Sequence, residues 1–390
     1  MKVIIIGAGA AGSIIAKFLC DSDKVEQVLV GDIDQAKAKK FLIQHPKLSF
    51  KEANAKHIDE IAALATGFDL LINASLPEFN EFLMQAALKA GVNYQDLASD
   101  YDNAEIEQLK YHEQFKAKNL IGLINASASP GVTNLVARDI ACHLTKIESV
   151  KIRLLEDVSS EIPFTAWSKA VTFDEFYWKP FVWEQDKFVE KDNFAEEEVY
   201  NFQEPFLNQK CYLIAQEDIG SMPKYIKAKH IDLKAGGSEI DLARTLFKLG
   251  IFKKHPIKVG DTSISPYDYF LKIWPDVLSP DEMKKLVDSG KLNNAHFWAS
   301  VEESGYEDGK KVVKKALVLF PDQKTVNKLY PGATYISYAA GLSAAVFALA
   351  IPDIKSRGVF PPEGLAKDEC LMVTENLKKG GVEINFTYID

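Results

Sequence analysis

Over the first 125 residues the apolar positions switch repeatedly between two rhythms. Short β-type runs at 3–6, 27–31, 48–51, 70–73, 93–96 and 120–124, most of them apolar, read as strands. Between them, residues 13–20, 35–44, 58–64, 78–90 and 104–118 repeat apolar residues at i, i+3 and i+4, the stripe of a helix lying on a sheet. Strands alternating with helices demand right-handed crossovers and a parallel sheet covered on both faces. The predicted fold is therefore α/β and doubly wound. Pro130-Gly131 breaks the rhythm. A helix is expected at 133–143, then longer strands at 150–155, 210–215, 225–232 and 312–319 without regular crossovers, flanked by helices at 240–249, 268–273 and 281–289. That pattern suits an inserted mixed-sheet α+β domain. Helical spacing returns at 335–351, and Pro361-Pro362 opens a last helix that stops at Gly380-Gly381. The expected division is 1–128, 129–334 and 335–390, the last segment packing back on the first domain.

Composition narrows the function. With 47% hydrophobic and 26% charged residues, 390 residues suit two or three ordinary cores. A net charge of −9 argues against a nucleic-acid partner. Cys20, Cys142, Cys211 and Cys370 are scattered without a C-x-x-C pair, so neither a disulfide framework nor a metal site is expected, and a reducing cytoplasm is the natural compartment. The apolar run 3–18 carries three glycines and reads as strand plus helix rather than a signal segment. The run 335–351 is short for a bilayer and dotted with Ser and Tyr, so a buried helix and no membrane association are expected.

The sharpest motif is Gly7-Ala8-Gly9-Ala10-Ala11-Gly12, directly after a strand and before an amphipathic helix. In a dinucleotide-binding Rossmann domain Gly7 makes the tight turn, Gly9 lets a pyrophosphate approach the backbone, and Gly12 packs helix on strand, with Ala10 and Ala11 opening the helix. Asp32 follows Gly12 by 20 residues at the end of the second strand, where a carboxylate accepts from the adenosine ribose. It would repel a 2′-phosphate, and no Arg follows it. NAD is thus the expected cofactor, with NADP kept as the alternative by Lys37, Lys39 and Lys40.

Ligands of such sheets sit beyond the carboxyl ends of the strands. After the fourth strand, Asn73, Ala74 and Ser75 could line a nicotinamide ribose. After the fifth, Asp96 is the candidate catalytic proton acceptor, equally readable as a cap. After the sixth, Ser129, Gly131 and Asn134 surround a helix N-terminus suited to a substrate carboxylate. Only four arginines exist, Arg138, Arg153, Arg244 and Arg357, and Arg244 is the preferred carboxylate clamp, a surface ion pair being the competing reading. Residues 164–183 hold Trp167, Trp178 and Trp183, an aromatic stretch expected to form core or a homodimer interface. Neither H-x-x-x-H nor Gly-x-Ser-x-Gly occurs, which removes metal hydrolysis and serine acyl transfer.

Together, GAGAAG at 7–12, NASLPEFNEFLMQAALKAGVNYQDLAS at 73–99, ASASPGVTNLVA at 126–137 and RGVFPPEGL at 357–365 resemble the saccharopine dehydrogenase family, over nearly the whole chain. The likeness is to its single-chain saccharopine reductase and lysine 6-dehydrogenase type. It implies a Rossmann domain, an inserted mixed-sheet domain used for dimerisation, a C-terminal return, and hydride transfer at a carbon–nitrogen bond of an amino acid or its imine conjugate. It also implies that Trp167 lies in the substrate segment, although Phe164-Thr165-Ala166-Trp167-Ser168 matches that segment only loosely. The rival class is a dinucleotide-binding regulator or assembly protein that keeps the fold without the chemistry.

Overall fold

The computed structural model describes residues 1–100, 104 and 106–389. Six parallel strands, β1 (Lys2–Ile6), β2 (Gln27–Asp32), β3 (Leu48–Glu52), β4 (Leu70–Asn73), β5 (Asn93–Asp96) and β6 (Ile121–Leu123), run in the order β6-β5-β4-β1-β2-β3. Both faces of β1 and β4 are buried, which is why these runs are continuously apolar rather than alternating. The order reverses at β1 and β4, so a crevice opens beyond their carboxyl ends. A seventh parallel strand, Gly358–Phe360, adds beside β6. Three residues next to two prolines carry no period, and the sequence shows no strand there. The helix expected at 104–118 is a 3₁₀ turn, Glu107–Tyr111, passing into an α-helix, His112–Ala117; Glu105 lies outside the described residues.

The second sheet has nine strands and is mixed. Ala228–Gly236 pairs parallel with Lys146–Ser160, and the other pairings are antiparallel. Its longest member, Leu292–Glu307, was not expected. Asn, Ala, Ser, Glu and Gly dominate it, residues with poor strand preference, and Ser300 and Glu303 are buried where alternation would call for apolar groups. The last helix begins at Lys367 rather than at Pro362, because Pro362–Gly364 forms a 3₁₀ turn first. The closing strand Glu383–Ile389 pairs with Lys310–Leu319, so the final segment gives one strand to each sheet.

Helix Tyr335–Ala350 is core: a Cβ on Gly341 would stand 2.5 Å from Ile14 of helix Ala10–Asp21, so the two helices touch at that glycine. The aromatic stretch 164–183 is partly internal, with Phe164, Phe173 and Phe176 buried and Trp167, Trp178 and Trp183 half-buried. Phe173 packs edge-on against Phe252, Tyr267 and Trp274, and Phe176 stacks on Phe194. The exposed apolar side chains lie elsewhere, among them Leu249, Ile257, Val259 and Ile273.

Candidate dinucleotide and substrate cleft

The glycine loop has the shape its spacing promised. Gly7 takes φ +113°, and a Cβ there would meet the Ala74 carbonyl at 2.6 Å. A Cβ on Gly12 would meet the Gly7 carbonyl oxygen at 2.0 Å. Gly9 differs: its φ is −78°, and the first atom a Cβ would meet is the Lys37 ammonium at 3.6 Å. The space above Gly9 is therefore open to a ligand. Helix Ala10–Asp21 starts there without a side-chain cap and with no acidic residue in its first turn. Its free N–H groups, with those of Ala10 and Ala11, form an anion seat.

Asp32 holds this loop as well as facing the cleft. Its Oδ2 accepts from the Ala8 N–H at 2.7 Å and its Oδ1 from Asp34 at 2.9 Å. Lys37, Lys40 and Lys56 line the same cavity of about 970 Å³. Asn73, Ala74 and Ser75 form its floor. Asn73 Oδ1 accepts from the Ser75 N–H and hydroxyl, its amide donates to Asn80 Oδ1 at 2.7 Å, and Asn80 donates to the Ala98 carbonyl. This buried network locks the loops after β4 and β5 together.

Trp167 and Val171 line the same cavity, so the structure does bring Trp167 to the cleft. Lys169, beside them, is held by Asp276 at 2.5 Å.

Three expectations need correction. Asp96 is 1% exposed and lies behind the cleft: Oδ1 accepts from the Asn125 N–H at 2.7 Å and Oδ2 from Gln108 at 3.3 Å. Burial pushes its carboxyl up to about 7, against the lowering effect of those bonds. It is placed to position loops rather than to touch a substrate. The seat expected for a substrate carboxylate at Ser129, Gly131 and Asn134 is filled by the protein's own Asp218. Ser129 and Thr133 donate to Asp218 Oδ1, Asn134 donates to its carbonyl, and Asn134 Oδ1 caps the Gly131 N–H. Arg244 does not reach the cleft: its guanidinium stacks over Tyr212 at 4.4 Å and faces Glu197 at 3.7 Å. The other arginines are also engaged, Arg153 by acids and Arg138 and Arg357 by backbone carbonyls.

A group of acids went unnoticed in the sequence. Glu156, Glu175, Glu217 and Glu239 come from four separate elements to neighbouring positions, and burial pushes Glu156 and Glu239 up to about 7, Glu217 to about 8 and Glu175 well above the usual range. Nothing in their sequence spacing announces the meeting. A carboxylate amid the apolar run Leu154-Leu155-Glu156 was the one available hint.

The anion seat, the carboxylate at the end of β2 and the cleft beyond them are the features of an NAD(P)-binding domain. Residues 3–123 match the saccharopine dehydrogenase NADP-binding domain. The carboxyaminopropylagmatine dehydrogenase of Synechocystis sp. is 26% identical over 387 residues, 95% of this chain and 94% of that protein. The carboxynorspermidine synthase of Vibrio alginolyticus is 24% identical over 312 residues, covering 72% and 74%. Apo saccharopine dehydrogenase from Saccharomyces cerevisiae shares the fold over the full length of both chains, with a TM-score of 0.72 at 14% identity. The chain is thus similar to the saccharopine dehydrogenase family, whose NADP-binding domain its residues 3–123 match.

Proposed function

We propose that the protein transfers hydride between a nicotinamide dinucleotide and a carbon bearing nitrogen, interconverting an imine and a secondary or primary amine in an amino-acid conjugate. The observation that carries this reading is that Trp167 and Val171, from the second sheet's segment, line the wall of the same cavity as Gly9 and Ser75. A substrate on that wall would lie against the face of a dinucleotide seated on the glycine loop. When bound, the dinucleotide supplies or accepts the hydride. The chain's part is to seat the pyrophosphate on the Ala10–Asp21 helix, to fix the floor through Asn73 and Asn80, and to narrow the cleft with Trp167. Both named relatives act, by their names, on carboxylated amine conjugates or their precursors, and this supports the same class here.

The test follows nicotinamide absorbance while saccharopine, lysine and carboxylated polyamine conjugates are offered with each cofactor. Turnover is expected with at least one of them. Tight cofactor binding with no turnover of any would sink the proposal in favour of a regulator.

We further propose NAD as the preferred cofactor, since Asp32 would repel a 2′-phosphate. Asp32→Asn keeps an acceptor for the Ala8 N–H while removing the charge. It should narrow the preference for NAD over NADP by about tenfold, ~1.4 kcal/mol. Tighter binding of NADP than NAD by the unaltered protein, read by calorimetry, would overturn the assignment.

A further inference from the structure

Trp183 takes no part in the hydride-transfer reading above. It lines a second cavity, of about 1190 Å³, none of whose residues lines the cofactor cleft. Both parts of the molecule contribute to it. Ile106 and Leu109 come from the segment after β5, whereas Trp183 and Phe188 come from a hairpin of the second sheet, Phe181–Glu184 with Lys187–Glu190. The two parts touch at the cavity itself, where a Cβ on Gly220 would stand 3.2 Å from Ile106. A space of this size is ample for a small organic ligand.

The aromatic part of the lining is fixed and has its polar edge spent. The Trp183 ring N–H donates to the Ala228 carbonyl at 3.2 Å, and Phe188 packs edge-on against the indole at 5.0 Å. Both rings are half-buried. What they still offer is π surface, which accepts a flat ring whatever hydrogen-bonding groups that ring carries.

The bond to Ala228 also brings the indole to a cationic stretch. Lys224, Lys227 and Lys229 all line the cavity, and residues 224–229 contain no acid although the chain as a whole carries a net charge of −9. Lys229 stands 3.9 Å from Glu148. Lys224 and Lys227 pair with no carboxylate among the described residues: Lys224 sits 5.8 Å over the Tyr225 ring, and Lys227 donates to the Pro223 carbonyl at 2.9 Å. The acids of the lining do not cancel them. Glu107 faces Lys110 at 3.5 Å, and Asp186 is exposed at the turn of the hairpin. Two ammonium groups without a carboxylate suit a phosphate dianion, for which lysine serves as a point charge.

We propose that this cavity is a second binding site, for a small molecule that joins a flat ring to a phosphate as a mononucleotide does, with the ring stacked on Trp183 and the phosphate on Lys224 and Lys227. Its occupant is not the reacting substrate, since the cavity shares no residue with the cleft. Ring and phosphate are held by different groups, so neither alone should bind as the joined molecule does.

The test uses the full chain saturated with dinucleotide, so that the cofactor cleft is filled. Calorimetric titration with AMP should show binding, accompanied by quenching of tryptophan fluorescence. Adenosine and inorganic phosphate, given singly, should each bind at least tenfold more weakly. Indole-3-acetate, a flat ring with a single carboxylate charge, should also bind at least tenfold more weakly than AMP. Changing Lys224→Gln and Lys227→Gln together should weaken AMP by about tenfold or more and flatten its dependence on salt, because both side chains are exposed and their loss leaves the fold intact. Trp183→Leu should weaken AMP by a similar factor. Hydride transfer without AMP should be unaltered in the lysine variant, whose changed residues lie outside the cleft. Absence of AMP binding, unchanged AMP affinity in the lysine variant, or equal binding of indole-3-acetate would overturn the proposal. So would an AMP affinity that falls as more dinucleotide is added, which would place AMP in the cofactor cleft.

Discussion

Gly9→Val should abolish dinucleotide binding in a protein that melts where the parent does. The backbone at Gly9 has φ −78°, which Val adopts without strain, and a Cβ there meets nothing closer than the flexible end of Lys37 at 3.6 Å. Folding is therefore untouched, and the melting temperature should stay within about 2 °C. The γ-methyls would stand in the open space above the helix N-terminus, where the pyrophosphate must approach the N–H groups. A loss of affinity on the order of 100-fold or more, about 3 kcal/mol, is expected by calorimetric titration. Gly12→Val makes the control. Its Cβ would collide at 2.0 Å with the Gly7 carbonyl oxygen, so that variant should fail through misfolding and show a lowered melting temperature. A folded Gly9→Val protein that retains parental affinity would mean the loop is only a turn.

Arg153→Met should be among the most destabilising single changes in the second domain. Arg153 is 1% exposed and donates to both oxygens of Asp232 at 3.1 and 3.0 Å, to Glu198 at 3.1 and 2.7 Å, and to the Ile152 carbonyl. Removing it leaves Asp232 buried with the Lys234 ammonium and the His230 ring, each 3.9 Å away, as its remaining ion-pair neighbours among the described residues. Breaking such a pair from one side costs about 3–5 kcal/mol. The loss should depend on pH. Burial alone would push the Glu198 carboxyl up, yet the Arg153 charge holds it below the usual range. A depressed carboxyl contributes stability above the unfolded carboxylate range and loses it as pH falls. The gap between parent and variant in urea denaturation should thus be widest near neutral pH and shrink toward about pH 4. Adding Asp232→Leu should recover much of the loss, because an all-apolar replacement leaves no orphaned charge. A variant as stable as the parent at neutral pH would refute this account.

Most of the first sheet was legible because β1, β2 and β4 are apolar runs alternating with amphipathic helices, and its glycine loop because Gly7, Gly9 and Gly12 stand at the spacing between strand and helix. What the sequence withheld is depth. Asp96 does end a strand beside the cleft, but its spacing could not show that Asn125 and Gln108 would cover it. Arg244 was chosen by scarcity, and scarcity says nothing about where a helix face points; Tyr212 and Glu197 took it instead. Glu303, buried with both oxygens unpartnered, helped to hide the longest strand. Glu156, Glu175, Glu217 and Glu239 could not be linked from the sequence, since one lies on a strand and the others on or beside three separate helices.

The two strands contributed by the final segment bear on the order of assembly. Gly358 pairs with Ile121 and Glu383 with Leu319, so each sheet takes an edge strand from a segment far along the chain from the strand it pairs with or from the rest of its sheet. While the chain is still emerging, β6 and the strand Lys310–Leu319 present unpaired backbone to solvent, the kind of edge that invites pairing with another chain. Neither sheet is complete until translation has passed this region, and contacts so distant along the chain close late and slowly. Until those pairings form, the exposed edges of both sheets are the places where association with another chain can begin.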